Sequence, residues 1–143
     1  MRIFSPANIV QFELAETTTT ATEIISAWGP EGIAMARTST YLDFIYIIFY
    51  VAAIALGCKV ASSYSRTPVL EKIGTVLSFF TVVAGACDII ENIAMLKSLH
   101  EVTETTVAMA YYFATVKFAI LFIALLFILM AFATGVLRTM NKS

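Results

Sequence analysis

Apolar residues dominate the chain from residue 41 onward in stretches that predict three membrane-spanning helices. The stretches cover about residues 41–60, 73–96 and 105–136, and a helix needs about 20 apolar residues to cross a bilayer. The third stretch would extend roughly 48 Å as a helix, beyond the ~30 Å hydrocarbon core. We therefore expect an all-α membrane protein with three transmembrane helices in a bundle, forming a single membrane domain over residues 1–143.

Residues 1–40 are less regular and predict a short amphipathic helical region that lies at the membrane interface. Ser5 followed by Pro6 is typical of a helix start, because serine caps and proline fits the first helical position. Thr20 and Glu23 fit a capping box that opens a second helix. Pro30 can restart a helix that continues into the first span.

Trp28 lies just before the Gly29-Pro30 pair that ends the second predicted helix. Together with Ile24 and Ile25 it forms one apolar face. Two interpretations stay open: an interfacial anchor at the lipid headgroups, with Arg37 nearby at the edge of the first span, or packing against the exposed ends of the spans.

Small and polar residues recur every three or four positions in each span and predict helix-packing seams. The predicted seams are Asp43, Tyr46, Tyr50, Ala53 and Gly57 in the first span, Gly74, Ser78, Thr81, Gly85, Asp88 and Asn92 in the second, and Ala110, Ala114, Lys117, Leu121, Ala124, Ala131 and Gly135 in the third. The other faces of the third span carry large residues such as Phe118, Phe122 and Phe127, which we expect to meet lipid or another subunit.

Several polar side chains interrupt the apolar spans and predict a buried polar network. Its members are Asp43, Tyr46, Tyr50, Asp88, Glu91, Asn92 and Lys117. A charge near the middle of a membrane helix costs ~2.5–3.5 kcal/mol on insertion scales, so such residues normally face protein and have partners. We expect an ion pair between Asp88 and Lys117, which would leave Glu91 to accept a proton, reach Arg37 or bind an external cation.

Composition supports a membrane protein and excludes several other classes. The chain is 59% hydrophobic and 13% charged, against about 25% charged in an ordinary soluble domain. A net charge of −1 does not provide the basic face of a nucleic-acid binder. One histidine and two cysteines are too few for a zinc site or a haem ligated by two histidines, so we expect no metal and no cofactor.

Lysine and arginine near the span ends predict the orientation of the chain, because they are enriched on the cytoplasmic side. The first loop between spans and the C-terminal region carry five, which are Lys59, Arg66, Lys72, Arg138 and Lys142. The N-terminal region and the second loop carry three, which are Arg2, Arg37 and Lys97. We expect a multi-pass membrane protein with the N-terminus outside and the C-terminus in the cytoplasm.

Four short motifs together resemble a family of small, uncharacterised bacterial integral membrane proteins. They are Trp28-Gly29-Pro30-Glu31-Gly32, Leu42-Asp43-Phe44 with Tyr50, Gly85-x-x-Asp88-x-x-Glu91-Asn92, and Lys117-Phe118. The resemblance covers roughly residues 12 to 136, and the motif of the second span is its most specific part. It implies three spans and a bacterial setting, in which the protein lies in the cell (inner) membrane, and it carries no functional residues over.

Two functional hypotheses follow, and neither is enzymatic. The sequence shows no paired nucleophile and base, no metal-ligand cluster and no glycine-rich phosphate loop. The leading hypothesis is a membrane protein that assembles with itself or serves as an accessory subunit of a larger membrane complex, in which the polar network fixes helix register. The alternative is a proton or cation transporter or channel subunit that uses the intramembrane carboxylates.

Overall fold

A computed structural model describes residues 6–140 as four helices joined by short connections. They are α1 (Pro6–Glu13), α2 (Thr18–Ser65), α3 (Pro68–Ser98) and α4 (Glu104–Met140). The last three are long and apolar enough to cross a membrane, which confirms the all-α prediction with three such helices. The predicted N-cap Ser5 lies outside the described residues.

A break at Gly29 divides α2 into two helical segments, residues 18–28 and 30–65. Gly29 has φ 64° and ψ −176°, a region of backbone conformation that is essentially restricted to glycine. Pro30 then occupies the first position of the second segment, where its missing N–H costs no helical hydrogen bond. The predicted end after Trp28 and restart at Pro30 are both confirmed.

The start of α2 differs from the prediction. The helix begins at Thr18, because its N-cap is Thr17 rather than Thr20. The backbone N–H of Thr20 donates to Thr17 Oγ1 at 3.2 Å, as expected for the third residue after an N-cap. The predicted capping box of Thr20 and Glu23 is therefore wrong, because the run of four threonines offers several capping hydroxyls and Thr17 is the one that caps the helix.

The helices extend beyond the predicted spans because caps, and not apolar content, determine where they end. Pro68 opens α3, and Thr103 caps α4 by accepting the N–H of Thr106 at 3.2 Å. At the other end of α2, Arg138 Nη1 donates to the carbonyl oxygens of Ser65 and Arg66 at 3.2 and 2.9 Å.

The described chain divides into two compact units, and α2, α3 and α4 each contribute one segment to each unit. Unit 1 contains the residues up to Ile47 together with Ala86–Val116, and unit 2 contains Ile48–Gly85 together with the residues from Lys117 on. The prediction of a single domain stays a prediction.

The core of unit 1 brings α1 against segments of the three long helices. It consists of Phe12, Ala15, Ala21, Trp28, Ala36, Ala94, Met95, Leu99, Val107 and Ala110. Phe12 and Trp28 pack edge to face with their ring centroids 5.4 Å apart, which is a favourable aromatic geometry. Trp28 is only 2% exposed, so its ring contacts protein, and this placement fits the packing interpretation.

The core of unit 2 depends on small residues and close helix approach. Its buried members are Cys58, Ala61, Ala124, Phe127 and Ala131. A Cβ added to Gly74 would lie 2.8 Å from the carbonyl oxygen of Cys58, so only glycine fits between these backbones of α2 and α3. Phe127 is 4% exposed, and its expected position toward lipid is wrong, because it lies between Ala124 and Ala131 on the buried face.

The predicted packing seams have different outcomes. All six residues of the α3 seam are buried, which confirms it, and the α4 seam is confirmed apart from the half-buried Leu121. In α2 the predicted seam is confirmed only in part, because Asp43, Tyr50 and Gly57 are half-buried whereas Tyr46 and Ala53 are exposed. The more deeply buried face of α2 follows Ile47, the half-buried Ile54 and Cys58, and Ile47 is four positions from Asp43 whereas Tyr46 is three.

Candidate functional site

The structure buries most of the residues that were predicted to form a polar network. Exposed fractions are 3% for Asp88, 0% for Glu91, 1% for Asn92 and 6% for Lys117. Asp43 and Tyr50 are half-buried, whereas Tyr46 is exposed. The expected burial of Tyr46 is therefore wrong, for the reason of helical phase given above.

Asp88, Glu91 and Asn92 lie on one face of α3, at spacings of three and four residues. The buried residues Ala84 and Met95 continue this face in both directions. Since the apolar residues Ile89 and Ile93 are exposed, α3 turns its polar side chains inward and its branched apolar side chains outward. This arrangement suits a helix surrounded by lipid.

A hydrogen bond joins two members of the network across helices. Asn92 Nδ2 donates to Asp43 Oδ2 at 2.8 Å, and the two residues are separated by 49 positions in the sequence. The acceptor belongs to a carboxyl group, and hydrogen bonds to ionised carboxylates are shorter and stronger than neutral ones. This contact fixes the register of α2 against α3 within unit 1.

A small polar cavity lies beside this hydrogen bond and is formed by α1, α2 and α3. Its lining residues are Ile9, Glu13, Ser39, Thr40, Asp43, Asn92 and Met95. The cavity has a volume of about 50 Å³, and each water in the liquid occupies about 30 Å³. It is large enough for one or two water molecules or a small cation. We refer to it as the acidic cavity, after Glu13 and Asp43.

Glu13 is the residue of this site that sequence reasoning missed. It lies in the N-terminal region that the sequence assigns to the membrane interface, yet it is only 8% exposed. The available signal was the length of α1, since eight residues are too few for an isolated helix to be stable and the segment must pack on something. Ile9, Phe12 and Glu13 share the face that packs.

Oxygen atoms supply the chemistry of the acidic cavity. Two carboxyl groups, one amide and two hydroxyls line it, and oxygen donors of this kind suit protons, water and hard cations. The hydroxyl of Thr40 donates to the carbonyl oxygen of Ala36 at 2.9 Å, so its oxygen can only accept from a group in the cavity. Among the described residues, no cluster of three or more acidic, histidine or cysteine side chains is placed to hold a metal ion.

The remaining predicted residues lie apart from the acidic cavity. Lys117 belongs to unit 2 and Asp88 to unit 1, and their ion pair stays a prediction. The ammonium of Lys117 lies 4.7 Å from the ring centroid of Phe118, a distance at which a cation is attracted to the face of an aromatic ring. Arg37 is half-buried on α2 and lines a different cavity of unit 1.

Comparisons with known proteins give no family, relative or fold for this chain. No protein-family model, no curated protein and no solved structure matches it significantly. The resemblance to small bacterial membrane proteins stays a prediction, and the function is inferred from the residues of the chain itself.

Proposed function

We propose that the protein is a non-enzymatic integral membrane protein that works as part of an assembly, either with further copies of itself or as an accessory subunit of a larger membrane complex. One observation carries the membrane part of this proposal. Asp88, Glu91 and Asn92 are buried, whereas large apolar side chains such as Phe49 and Phe122 are 67% and 64% exposed. A protein surrounded by water does not expose extensive apolar faces, but a protein surrounded by lipid does.

Assembly is supported by the way the helices use their faces. Small residues are turned inward, as at Gly74 and Ala124, so the helices use their close-packing faces within the chain. Bulky aromatic side chains are left on the outside, with Phe79 at 66% exposure. Membrane helices associate through van der Waals packing rather than a hydrophobic drive, and these faces offer surface for a second copy or another subunit.

Native mass spectrometry of protein extracted from its own membrane in mild detergent tests assembly. We expect a dimer, a higher oligomer or a co-purifying membrane protein. The two native cysteines, Cys58 and Cys87, are buried, so single cysteines at outer positions can report contacts by crosslinking in intact membranes. Phe79→Cys should crosslink and the matched buried variant Ala84→Cys should not. A clean monomer that fails to crosslink at any outer position would contradict the proposal.

The acidic cavity favours a second candidate, a subunit of a proton or cation transporter or channel. Its oxygen-lined wall provides a transient binding site for a proton or cation, and intramembrane carboxylates commonly form part of ion pathways and proton relays. Three helices are few to enclose a path, so this function also requires assembly.

Ion flux into liposomes tests this second candidate. Wild-type protein should carry proton or cation flux that Glu13→Gln, Asp43→Asn and Glu91→Gln each reduce, because each removes an ionisable carboxyl group. Glu71→Gln is the matched control, since Glu71 is an exposed acid in the first turn of α3. Absence of flux in the wild type would exclude transport by this chain alone and by its homo-oligomer.

A further inference from the structure

Basic side chains line a second cavity of unit 1. The cavity has a volume of about 250 Å³, and its lining residues are Arg37, Tyr41, Ile93, Leu96, Lys97 and His100. No acidic side chain of the described residues belongs to this lining. We refer to it as the basic cavity.

Helical spacing explains why these residues meet. Arg37 and Tyr41 are four positions apart on α2, so they lie one above the other on a single face. Ile93 and Lys97 have the same relation on α3. His100 follows in the loop after α3. Each helix therefore offers a basic side chain that is one turn away from an apolar or aromatic one.

Backbone N–H groups of the following loop bond carbonyl oxygens at the end of α3. Leu99 N donates to Met95 O at 3.0 Å, and His100 N and Glu101 N both donate to Lys97 O at 2.9 Å. Helix ends are commonly closed by backbone bonds of this kind. These bonds use neither the ammonium of Lys97 nor the imidazole of His100, and both groups can meet a ligand.

We propose that the basic cavity binds a phosphate group, supplied by the headgroup of an anionic phospholipid or by a free phosphate. The guanidinium of Arg37 can donate two parallel hydrogen bonds to phosphate oxygens, and the ammonium of Lys97 adds a point charge. The volume equals that of roughly eight water molecules, which accommodates a tetrahedral phosphate. Ile93 and Leu96 supply an apolar wall for the ester group or acyl chain attached to it.

The position of the cavity along the chain fits a headgroup. Arg37 and Lys97 lie just outside the apolar stretches 41–60 and 73–96, where a membrane helix passes from hydrocarbon into the headgroup layer. Basic pockets between membrane helices bind anionic headgroups in this way. The inference does not depend on the proposed assembly, because the cavity lies within one chain.

Ligand binding to the purified full-length chain in nonionic detergent tests the proposal. The probes are phosphatidylglycerol, phosphatidylcholine as the lipid without net charge, and inorganic phosphate, each followed by native mass spectrometry and by the shift in Tm. The test variant is Arg37→Gln with Lys97→Gln. The matched control is Arg66→Gln with Lys72→Gln, which removes the same two residue types from exposed positions outside the basic cavity.

We expect phosphatidylglycerol to bind the wild type more tightly than phosphatidylcholine does. The test variant should weaken this binding roughly thirty-fold, because each basic residue contributes about five-fold to the binding of an anionic lipid surface. The control variant should bind as the wild type does. If the double test variant does not fold, the exposed Lys97→Gln variant alone should still show about a five-fold loss.

The outcomes separate the two sources of phosphate and can overturn the proposal. Loss of phosphatidylglycerol binding confined to the test variant identifies a lipid headgroup. If the wild type binds inorganic phosphate and the test variant alone loses this binding, the ligand is a free phosphate. Equal weakening in the test and control variants would show diffuse charge attraction and overturn the proposal, as would a failure of both anions to bind the wild type.

Discussion

The hydrogen bond between Asn92 and Asp43 provides the sharpest test of how unit 1 is held together. Replacing Asn92 with leucine keeps the branched shape of the side chain and removes the Nδ2 donor that lies 2.8 Å from Asp43 Oδ2. Asn92 is 1% exposed, and the acidic cavity beside the bond has room for only one or two water molecules. Asp43 would keep its carboxyl group but lose this donor.

Two sets of measurements on other proteins bound the expected loss in the free energy of unfolding. Hydrogen bonds to charged groups contribute about 1.5–3 kcal/mol to soluble proteins, whereas double-mutant cycles between membrane helices average about 0.6 and reach about 1.7 kcal/mol. The near-complete burial of the donor and the short distance favour the upper part of the membrane range. We expect Asn92→Leu to lower the free energy of unfolding by about 1.5–3 kcal/mol, with a coupling energy to Asp43 of about 1–1.7 kcal/mol.

A double-mutant cycle measures this coupling. The free energy of unfolding is determined in one detergent and lipid mixture for the wild type, Asn92→Leu, Asp43→Leu and the double variant. The control cycle pairs Asp43→Leu with Ser98→Ala, since the Ser98 hydroxyl donates to Thr106 Oγ1 at 2.8 Å and lies roughly 9 Å from Asn92 along α3. In the control cycle, the losses in the free energy of unfolding of the two single variants should add to that of the double variant within about 0.5 kcal/mol. If the losses in the Asn92 cycle were additive to the same degree, Asn92 and Asp43 would not be coupled and the prediction would be refuted.

Three further predictions concern the stability of single elements. Trp28→Ala should lower the free energy of unfolding by about 3–5 kcal/mol and Trp28→Phe by clearly less, because the ring is buried in the core of unit 1; equal losses in denaturant titrations would contradict this. Gly29→Ala should cost about 1–3 kcal/mol through its φ of 64° alone, since a Cβ there meets no atom within 4 Å, and an unchanged Tm would contradict it. Arg138→Gln should cost about 1 kcal/mol, because its guanidinium donates to two carbonyl oxygens at the C-terminal end of α2, whereas the exposed Lys72→Gln should leave Tm unchanged.

The helical content and the buried face of α3 were predictable from sequence because several signals coincide there. Small residues such as Gly74 and Gly85 repeat with the same period as the polar residues Thr81 and Asp88, and branched apolar residues occupy the other faces. Size, polarity and periodicity therefore select one face. The break at Gly29 was equally clear, because glycine followed by proline can end one helix and start the next.

The buried face of α2 was not predictable in the same way. Between residues 41 and 51, α2 carries large side chains on all of its faces, so side-chain size does not distinguish a buried face. Tyr46 and Ile47 are neighbours in sequence and lie about 100° apart around the helix. The tyrosine hydroxyl suggested a network member, although a tyrosine on the outer face of a membrane helix is also common. Only tertiary packing decides between the two, and it buries Ile47.

The acidic cavity shows why a one-dimensional pattern cannot predict a site built from several helices. Periodicity assigns Asn92 and Asp43 to inward faces, but it does not state which faces meet. Glu13 is 30 positions before Asp43 and 79 before Asn92, and it reaches the cavity only because α1 packs through Phe12 on the core of unit 1. The N-terminal region is therefore part of the candidate site rather than an appendage to the spans. A variant that weakens the packing of α1 should change the chemistry of the cavity as well as the stability of the unit. The reason is that α1 carries Glu13, and its displacement would take one of the two carboxyl groups away from the cavity.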